Sequence, residues 1–199
     1  MTTPGRLIAF EGLDQSGKQT QAQWLTEALQ QAGRAVRTVS FPDYGTTIGA
    51  EIGQALQGQR AYGPDVLQLL YIANRYEYAA RIRGWLVEGT VVVADRYAAS
   101  SLAYGEALGL DVPWLTDTQR LLPPADLTLV LDIAPETSLE RKRAARDRFE
   151  RDLPLLARVR DSYRRQAQAP GWHLIDGTQT PEAVRAEVTA GVRARLGLL

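Results

Sequence analysis

The sequence predicts an α/β protein in which a five-stranded parallel sheet is covered by helices on both faces. Short apolar stretches alternate along the 199 residues with longer segments of helical periodicity. Strands buried on both faces are short and apolar, and parallel neighbours need helical crossovers between them. Alternation of this kind is typical of a three-layer α/β/α architecture.

Five apolar stretches account for the predicted sheet. The predicted strands are Leu7–Phe10, Val36–Phe41, Val91–Asp95, Leu127–Ile133 and Trp172–Ile175. Ligands of open α/β sheets bind beyond the carboxyl ends of the strands. We therefore expect one rim of the sheet to be shared by the loops that begin at Glu11, Phe41, Asp95 and Asp176.

The segments between the strands carry apolar residues at helical spacing. The clearest predicted helices are Thr20–Gln31, Pro64–Val87, Pro135–Ala145, Glu150–Ala167 and Pro181–Leu196. Pro135 and Pro181 each stand where a first helical turn begins, a position that tolerates proline. Gly33 and Gly89 stand where helices are expected to end.

Length and composition restrict the classes of function. A chain of 199 residues favours one domain, residues 1–199, with a full-sized core. The 23 basic and 23 acidic residues balance, which argues against general affinity for nucleic acid or membranes. The absence of cysteine excludes disulfides and thiolate chemistry and fits the cytoplasm. No signal peptide and no apolar run near the roughly 18 residues of a membrane span are found.

The net neutrality conceals a basic segment. Residues 141–165 hold ten basic and four acidic residues. Such a segment suits a small polyanionic ligand, although a solvated helix face explains many of these arginines equally well.

A glycine-rich loop directly follows the first predicted strand. It reads Gly12-Leu13-Asp14-Gln15-Ser16-Gly17-Lys18 and leads into a predicted helix. Successive backbone N–H groups in such a loop form a nest for phosphate oxygens, and the helix dipole adds to the attraction. Because Lys18 can reach the terminal phosphates, the loop predicts a nucleoside triphosphate site of the P-loop type.

The position after the lysine departs from the usual P-loop pattern. Ser or Thr normally stands there and binds Mg²⁺ through its hydroxyl, whereas this chain has Gln19 followed by Thr20. The side-chain carbonyl of Gln19 could bind Mg²⁺ directly or through water, since hard cations accept neutral oxygen ligands.

A second signature closes the third predicted strand and opens a helix. It reads Asp95-Arg96-Tyr97-Ala98-Ala99-Ser100-Ser101-Leu102-Ala103-Tyr104. An arginine at this position can clamp phosphoryl oxygens bidentately, and an aspartate can hold Mg²⁺ or its water shell. Together with Phe10-Glu11-Gly12-Leu13-Asp14 and Phe41-Pro42, this run resembles the thymidylate kinase family, and the resemblance extends from Leu7 to about Val188.

This resemblance implies a P-loop kinase fold, transfer of the γ-phosphoryl group of ATP to dTMP, Mg²⁺ as cofactor and a homodimer. It also implies a short mobile lid over ATP at about residues 141–150. The positions implied for ATP binding are Gly12, Leu13, Asp14, Gln15, Ser16, Gly17, Lys18, Gln19, Thr20, Arg141, Arg143, Arg146, Arg148, Asp176 and Gly177. Gln19 and Asp95 are the candidate metal ligands.

The resemblance also implies an acceptor site. Arg96 would grip the phosphate of dTMP, Asp14 the sugar 3′-hydroxyl, and Arg75 the thymine edge. Lys18, Arg96, Asp14 and Asp95 are thus the candidate catalytic residues. The remaining positions that the resemblance implies for dTMP are Phe41, Pro42, Tyr44, Tyr71, Ser100, Ser101 and Tyr104.

Two further departures concern charge. Some relatives carry an arginine inside the glycine loop, where this chain has Gln15, so the lid arginines would supply that charge. Some also carry an arginine shortly after Phe-Pro, where this chain has Asp43-Tyr44-Gly45. We expect the Tyr44 hydroxyl to contact the acceptor phosphate instead.

Two other functions stay open at this point. One is another nucleoside monophosphate or deoxynucleoside kinase on the same fold. The acceptor dUMP also stays open, since one methyl group gives only about 10–200-fold discrimination. The other is a regulator that binds ATP without turnover, which the unusual Gln19 favours. The pair Asp95-Arg96 and the basic lid argue against a regulator, because a sensor needs no clamp for an acceptor.

Overall fold

The computed structural model describes residues 5–141 and 152–199, which form a five-stranded sheet with helices on both faces. The strands are β1 (Leu7–Glu11), β2 (Val36–Ser40), β3 (Val91–Asp95), β4 (Leu127–Asp132) and β5 (Trp172–Asp176). All neighbouring pairs are parallel, and the order is β2-β3-β1-β4-β5. The predicted fold class is confirmed, and no strand boundary differs from its prediction by more than one residue.

Eight helices lie in the described part of the chain. They are α1 (Lys18–Gln31), α2 (Thr47–Leu56), α3 (Pro64–Val87), α4 (Ala98–Ala107), α5 (Val112–Thr118), α6 (Pro135–Arg141), α7 (Leu153–Gln166) and α8 (Pro181–Leu196). The bounds predicted for α3 and α8 are confirmed, and α1 begins two residues before its prediction, directly from the glycine loop. The predictions for α6 and α7 are confirmed where they fall within the described residues, which exclude 142–151.

Sequence periodicity did not predict α2 and α5. Gly49 and Gly53 lower the helix propensity of α2, and α5 is only seven residues long. The first residues of α2 and α5 are instead fixed by side chains that cap the helix N-termini. Thr46 accepts a hydrogen bond from the backbone N–H of Gly49, and Asp111 accepts one from Trp114.

The two faces of β1 contribute to different parts of the core. Ile8 and Phe10 pack with the buried side chains of α1 and α8, whereas Leu7 and Ala9 pack with those of α3. Because successive strand residues point to opposite faces, four apolar residues in a row require both faces to be covered. This arrangement makes β1 the centre of the molecule and places its C-terminal loop above the core.

Backbone hydrogen bonds join the loops at the carboxyl ends of the strands. The N–H of Arg96 donates to Phe10 O over 2.9 Å, and that of Phe41 donates to Asp95 O over 3.0 Å. At the other side of the rim, Gly177 N donates to Asp132 O over 2.9 Å. The predicted common rim is therefore confirmed. In the described ranges, no helix has the length and apolar character needed to cross a membrane.

Helix α2 packs closely on the loop that follows β2. A Cβ atom added at Gly49 would stand 1.7 Å from Asp43 O, whereas one at Gly53 would meet only the Tyr44 ring, at 3.4 Å. The backbone of the loop can therefore approach α2 only at a glycine.

These two glycines give a matched test of that packing. We expect Gly49→Ala to lower the free energy of unfolding by about 1–3 kcal/mol, because Asp43 must move. We expect Gly53→Ala to raise it by about 0.5–1 kcal/mol through helix propensity. Urea unfolding of both variants checks the prediction, and equal effects at the two sites would contradict it.

Candidate active site

The glycine loop has a conformation that depends on its glycines. Gly12 and Gly17 have φ angles of 131° and 98°, in the region that L side chains avoid. A Cβ at Gly12 would also lie 2.4 Å from Leu131 O of the neighbouring strand. No side chain caps the start of α1, so the N–H groups of its first turn remain available to a ligand. The loop therefore presents a preformed site for an anion.

Lys18 is buried at the end of this loop and is held by the loop itself. Its Nζ donates to the carbonyl of Leu13 over 2.8 Å. Burial, and then the positive charge of Arg96, lower the pKa of Lys18 to about 8. A phosphate beside Nζ would reverse that effect, because an adjacent negative charge favours the ammonium form.

Arg96 projects towards the same loop from the start of the second signature. It has a φ of 63°, unusual for a residue other than glycine, and its guanidinium donates to Asp14 Oδ1 over 2.7 Å and Gly12 O over 3.1 Å. Burial alone would lower the pKa of Arg96, but the interactions with Asp14, Tyr104, Tyr163 and Glu11 together outweigh it and raise the pKa well above its usual value. A strained backbone that aims a charged group into a cleft indicates a functional position.

A fully buried carboxylate connects the two signatures. Glu11 Oε1 accepts from the backbone N–H of Tyr97 over 2.8 Å and of Ser100 over 3.2 Å. Glu11 Oε2 accepts from Ser100 Oγ over 2.6 Å and from the Tyr163 hydroxyl over 3.0 Å. The carboxylate of β1 thus caps the N-terminus of α4, where the helix dipole also favours a negative charge.

The two signatures and the loop after β2 enclose a cavity of about 340 Å³. Its lining combines predicted ATP-binding, acceptor and metal positions with Ser40. The lining residues are Asp14, Gln15, Gly17, Lys18, Gln19, Thr20, Ser40, Phe41, Pro42, Tyr44, Asp95 and Arg96. The volume lies in the range of small-molecule sites.

The predicted base-reading residues form a second group beside this cavity. Arg75 is buried, and its NH1 donates to Ser101 Oγ over 2.8 Å and Tyr71 O over 3.2 Å. Its guanidinium carbon lies 6.0 Å from the centre of the Phe41 ring. Burial lowers the pKa of Arg75, and its Nε has no hydrogen-bond partner among the described residues. A buried donor without a partner, such as Arg75 Nε, suits a ligand that brings an acceptor atom.

Two other acceptor positions differ in their surroundings. The Tyr104 ring lies 5.7 Å from the Arg96 guanidinium carbon and is half-buried. Ser100 is instead buried in the contacts around Glu11, where its hydroxyl also lies 2.9 Å from the Tyr163 hydroxyl.

The loop after β5 reaches the other side of the glycine loop. Arg141 donates from NH1 to Gln15 O and from NH2 to Gly177 O, both over 3.1 Å. Asp176 turns its carboxylate onto Thr178, accepting from its N–H over 2.9 Å and its hydroxyl over 2.6 Å. The predicted adenine loop therefore lies beside the phosphate loop. The predicted lid arginines Arg143, Arg146 and Arg148 lie outside the described residues.

Comparison with known proteins agrees with this geometry. The sequence pattern described as thymidylate kinase matches residues 10–188. The chain belongs to the thymidylate kinase family.

Family members from distant organisms resemble the chain over most of its length. The thymidylate kinase of Thermomicrobium roseum is 38% identical, and the alignment covers 93% of each chain. That of Danio rerio is 33% identical over 92% of this chain and 88% of its own length. The solved thymidylate kinase of Candida albicans superposes with a TM-score of 0.85 at 27% identity, covering 100% of this chain and 96% of that one.

Mg²⁺, which a thymidylate kinase site implies, fits the residues present. Asp95 Oδ1 is buried and has no hydrogen-bond partner among the described residues. Asp95 and Gln19 both line the cavity. In the same described ranges, no three His, Cys, Asp or Glu side chains form a metal cluster. This suits Mg²⁺, which proteins usually bind through one or two side chains plus water and substrate phosphates.

Several supporting residues of this thymidylate kinase site escaped the sequence reasoning. Tyr163 OH lies 3.4 Å from Arg96 NH1, and Ser138 Oγ donates to Asp14 O over 2.7 Å. Burial and the charge of Glu11 raise the pKa of Tyr163 well above its usual value, so it remains a donor. The one sequence signal for these supporting contacts was Glu11 itself, because an acidic residue at the end of an apolar strand needs buried donors around it.

The lowered pKa of Lys18 predicts that the burial of its charge reduces the free energy of unfolding of the ligand-free protein by an amount that depends on pH. Below pH 8 the lysine is charged in both the folded and unfolded states, so the full burial penalty applies. That penalty disappears as the pH rises from about 8 to the unfolded value of 10.5. We expect Lys18→Met to be more stable than the wild type at pH 7, with an advantage that shrinks by up to about 3 kcal/mol by pH 10.5.

Urea unfolding of both proteins without nucleotide, repeated across this pH range, checks the sign and the window. Titrations elsewhere in the chain cancel in the difference between the two proteins. A difference in stability that stays constant with pH would contradict the prediction.

Proposed function

We propose that this chain catalyses transfer of the γ-phosphoryl group of ATP to dTMP. The observation that carries the proposal is the convergence of Lys18, Arg96 and the N-terminus of α1 on one cavity, with the buried guanidinium of Arg75 beside the Phe41 ring that lines it. A donor phosphate site alone would suit any ATP-binding protein. A second cationic group facing it across a small cavity suits an acceptor phosphate.

The donor occupies the side formed by the glycine loop and the loop after β5. The loop N–H groups and Lys18 hold the β- and γ-phosphates, and Arg141 ties Gln15 to Gly177 beside them. Adenine lies against the backbone of Asp176 and Gly177. We include Arg143, Arg146 and Arg148, which lie outside the described residues, as further groups that bind the phosphates of ATP.

The acceptor occupies the side formed by α3, α4 and the loop after β2. Arg96 grips its phosphate, Asp14 accepts from the sugar 3′-hydroxyl, and the Tyr104 ring crowds the 2′ position. Tyr71 stacks on the base, with Phe41, Ser100 and Ser101 beside it. The unpaired Nε of Arg75 donates to the 4-keto oxygen of thymine. The amino group of cytosine would leave that donor unpaired, which costs affinity.

The chemistry requires positioning and positive charge rather than a protein nucleophile. The phosphate of dTMP attacks the γ-phosphorus in line, and ADP leaves as the P–O bond to its β-phosphate breaks. Lys18 and Arg96 stabilise the charge on the oxygens of the transferred group. Bound Mg²⁺, held by Asp95, Gln19 and the phosphates, would supply further charge neutralisation there.

The proposal extends to assembly and location. Val66 and Leu69 on α3 are 41% and 42% exposed, and apolar side chains on one long helix suit a homodimer contact. Zero net charge argues against nucleic acid as a partner, and a chain without cysteine fits the cytoplasm.

The first test measures ADP release from Mg-ATP with dTMP, ribo-TMP, dUMP and dCMP in parallel. We expect the highest kcat/KM with dTMP and a value about 10–200-fold lower with dUMP, because the two differ by one methyl group. We expect lower kcat/KM values still with dCMP and ribo-TMP. The 4-amino group of dCMP would face Arg75, and the 2′-hydroxyl of ribo-TMP would meet the Tyr104 ring. ATP binding with no turnover on any acceptor would contradict the proposal and favour a nucleotide-binding regulator.

A second test concerns the residue after the P-loop lysine. Gln19→Thr restores the hydroxyl that usually binds Mg²⁺, so we expect half-maximal activity at a lower free Mg²⁺ concentration. Thr20→Ser serves as control, because it keeps a hydroxyl at the neighbouring position. A Mg²⁺ titration that is identical for Gln19→Thr and the wild type would show that position 19 does not contribute to the metal site.

A further inference from the structure

Asn74 is a fully buried polar residue on α3, next to the base-reading Arg75. Its Oδ1 accepts from the backbone N–H of Asp43 over 2.8 Å. Its Nδ2 donates to Thr46 Oγ1 over 2.9 Å and to Glu77 Oε2 over 2.8 Å. Both ends of the amide are thus engaged, and two of these contacts reach the loop after β2.

Thr46 completes the connection on the side of that loop. Its hydroxyl accepts from Asn74 and from the backbone N–H of Gly49 over 3.0 Å, and it donates to Glu77 Oε2 over 2.8 Å. The same hydroxyl therefore caps α2 and receives the Asn74 amide. Moving Asn74 would disturb the start of α2 and the turn before it together.

The turn held in this way carries one wall of the phosphate cavity. Pro42 and Tyr44 line that cavity with Lys18 and Arg96, whereas Tyr71 and Arg75 do not. Tyr44 is 53% exposed, and its ring lies beside Gly53 of α2. Residues 41–50 contain no arginine or lysine that a bound phosphate could draw into place. The position of this wall consequently depends on contacts from outside the loop.

A second tether holds the same turn through the Asp43 side chain. Asp43 Oδ1 accepts from the N–H of Gly45 over 2.9 Å, and Oδ2 accepts from the Tyr78 hydroxyl. The guanidinium of Arg81 lies 4.1 Å above the Tyr78 ring. One oxygen of the Asp43 carboxylate is thereby held within the loop and the other by Tyr78 on α3.

We infer that Asn74 is a positioning residue for the acceptor phosphate, acting through Asp43 and Thr46 on the wall formed by Pro42 and Tyr44. This inference rests on the proposed function, because it concerns the acceptor of that same site. Helix α3 then has two roles in this site. Arg75 recognises the base, and its neighbour Asn74 holds the loop after β2 in the position that contacts the phosphate.

The test compares equilibrium binding of dTMP with that of thymidine, which lacks the phosphate. For Asn74→Ala we expect dTMP affinity to fall about tenfold, the equivalent of one lost hydrogen bond to a charged group, and thymidine affinity to stay within about twofold. The KM for ATP should be unchanged. An equal fall for thymidine and dTMP, or no fall for either, would overturn the inference.

Two variants control for unfolding. Thr46→Val removes the same contact from the loop side and should reproduce the selective loss of dTMP affinity if Asn74→Ala does not fold. Glu77→Gln keeps an oxygen that accepts from the Asn74 amide on the exposed side of α3, so we expect affinities near those of the wild type. A selective loss in Glu77→Gln as large as in Asn74→Ala would also overturn the inference.

Hydrogen exchange separates this inference from the proposed function. The amide of Asp43 donates to Asn74, so its exchange should accelerate in Asn74→Ala and not in Glu77→Gln, whether or not a ligand is bound. A wild-type protein that binds neither thymidine nor dTMP would refute the proposed function and the positioning role, whatever the exchange result. If the wild type binds dTMP but the Asp43 amide of Asn74→Ala exchanges as slowly as that of the wild type, the positioning role alone is refuted.

Discussion

The carboxylate of Glu11 joins the strand that carries the glycine loop to the helix that carries the second signature. It reaches the backbone of Tyr97 and Ser100 and the hydroxyl of Tyr163, so three separate parts of the chain meet at one buried charge. Burying a carboxylate is expensive unless several donors surround it. Because Glu11 has those donors, the start of α4 has one position relative to β1. Arg96, which precedes α4 directly, is thereby directed at Asp14 and Gly12.

Around this fixed carboxylate the site accumulates positive charge without a bound anion. Lys18 is buried beside the glycine loop, the Arg96 side chain is only 14% exposed, and the positive charge of Arg96 lowers the pKa of Lys18. Asp14 accepts a hydrogen bond from Arg96, whereas the hydrogen-bond partner of Lys18 among the described residues is the neutral carbonyl of Leu13. The buried charge of Lys18 therefore lowers the stability of the ligand-free protein, and a bound phosphate would stabilise that charge. Such preorganisation is how enzymes stabilise charge without rearranging at the moment of reaction.

Local sequence patterns predicted the scaffold well. Strand, glycine loop and helix follow one another within residues 7–31, Gly89 closely marked the end of α3, and Pro181 marked the start of α8. The contacts that complete the site join distant positions, such as Glu11 with Tyr163 and Asn74 with Asp43. No periodicity connects residues so far apart, because their meeting follows from the packing of whole elements. Helix α2 was missed for a related reason: its Gly49 serves the close tertiary contact with Asp43 rather than local propensity.

The strand order has a consequence for how this enzyme can diversify. With β1 in the middle of β2-β3-β1-β4-β5, the loops of β2 and β3 lie on one flank and that of β5 on the other. In the proposed function, the two nucleotides would approach the reacting atoms from opposite flanks and share few side chains. Substitutions in α3, α4 or the loop after β2 would then change the nucleobase that is accepted while the binding of ATP is left intact. One scaffold of this topology can thus give rise to kinases with different acceptors by changes confined to half of its rim.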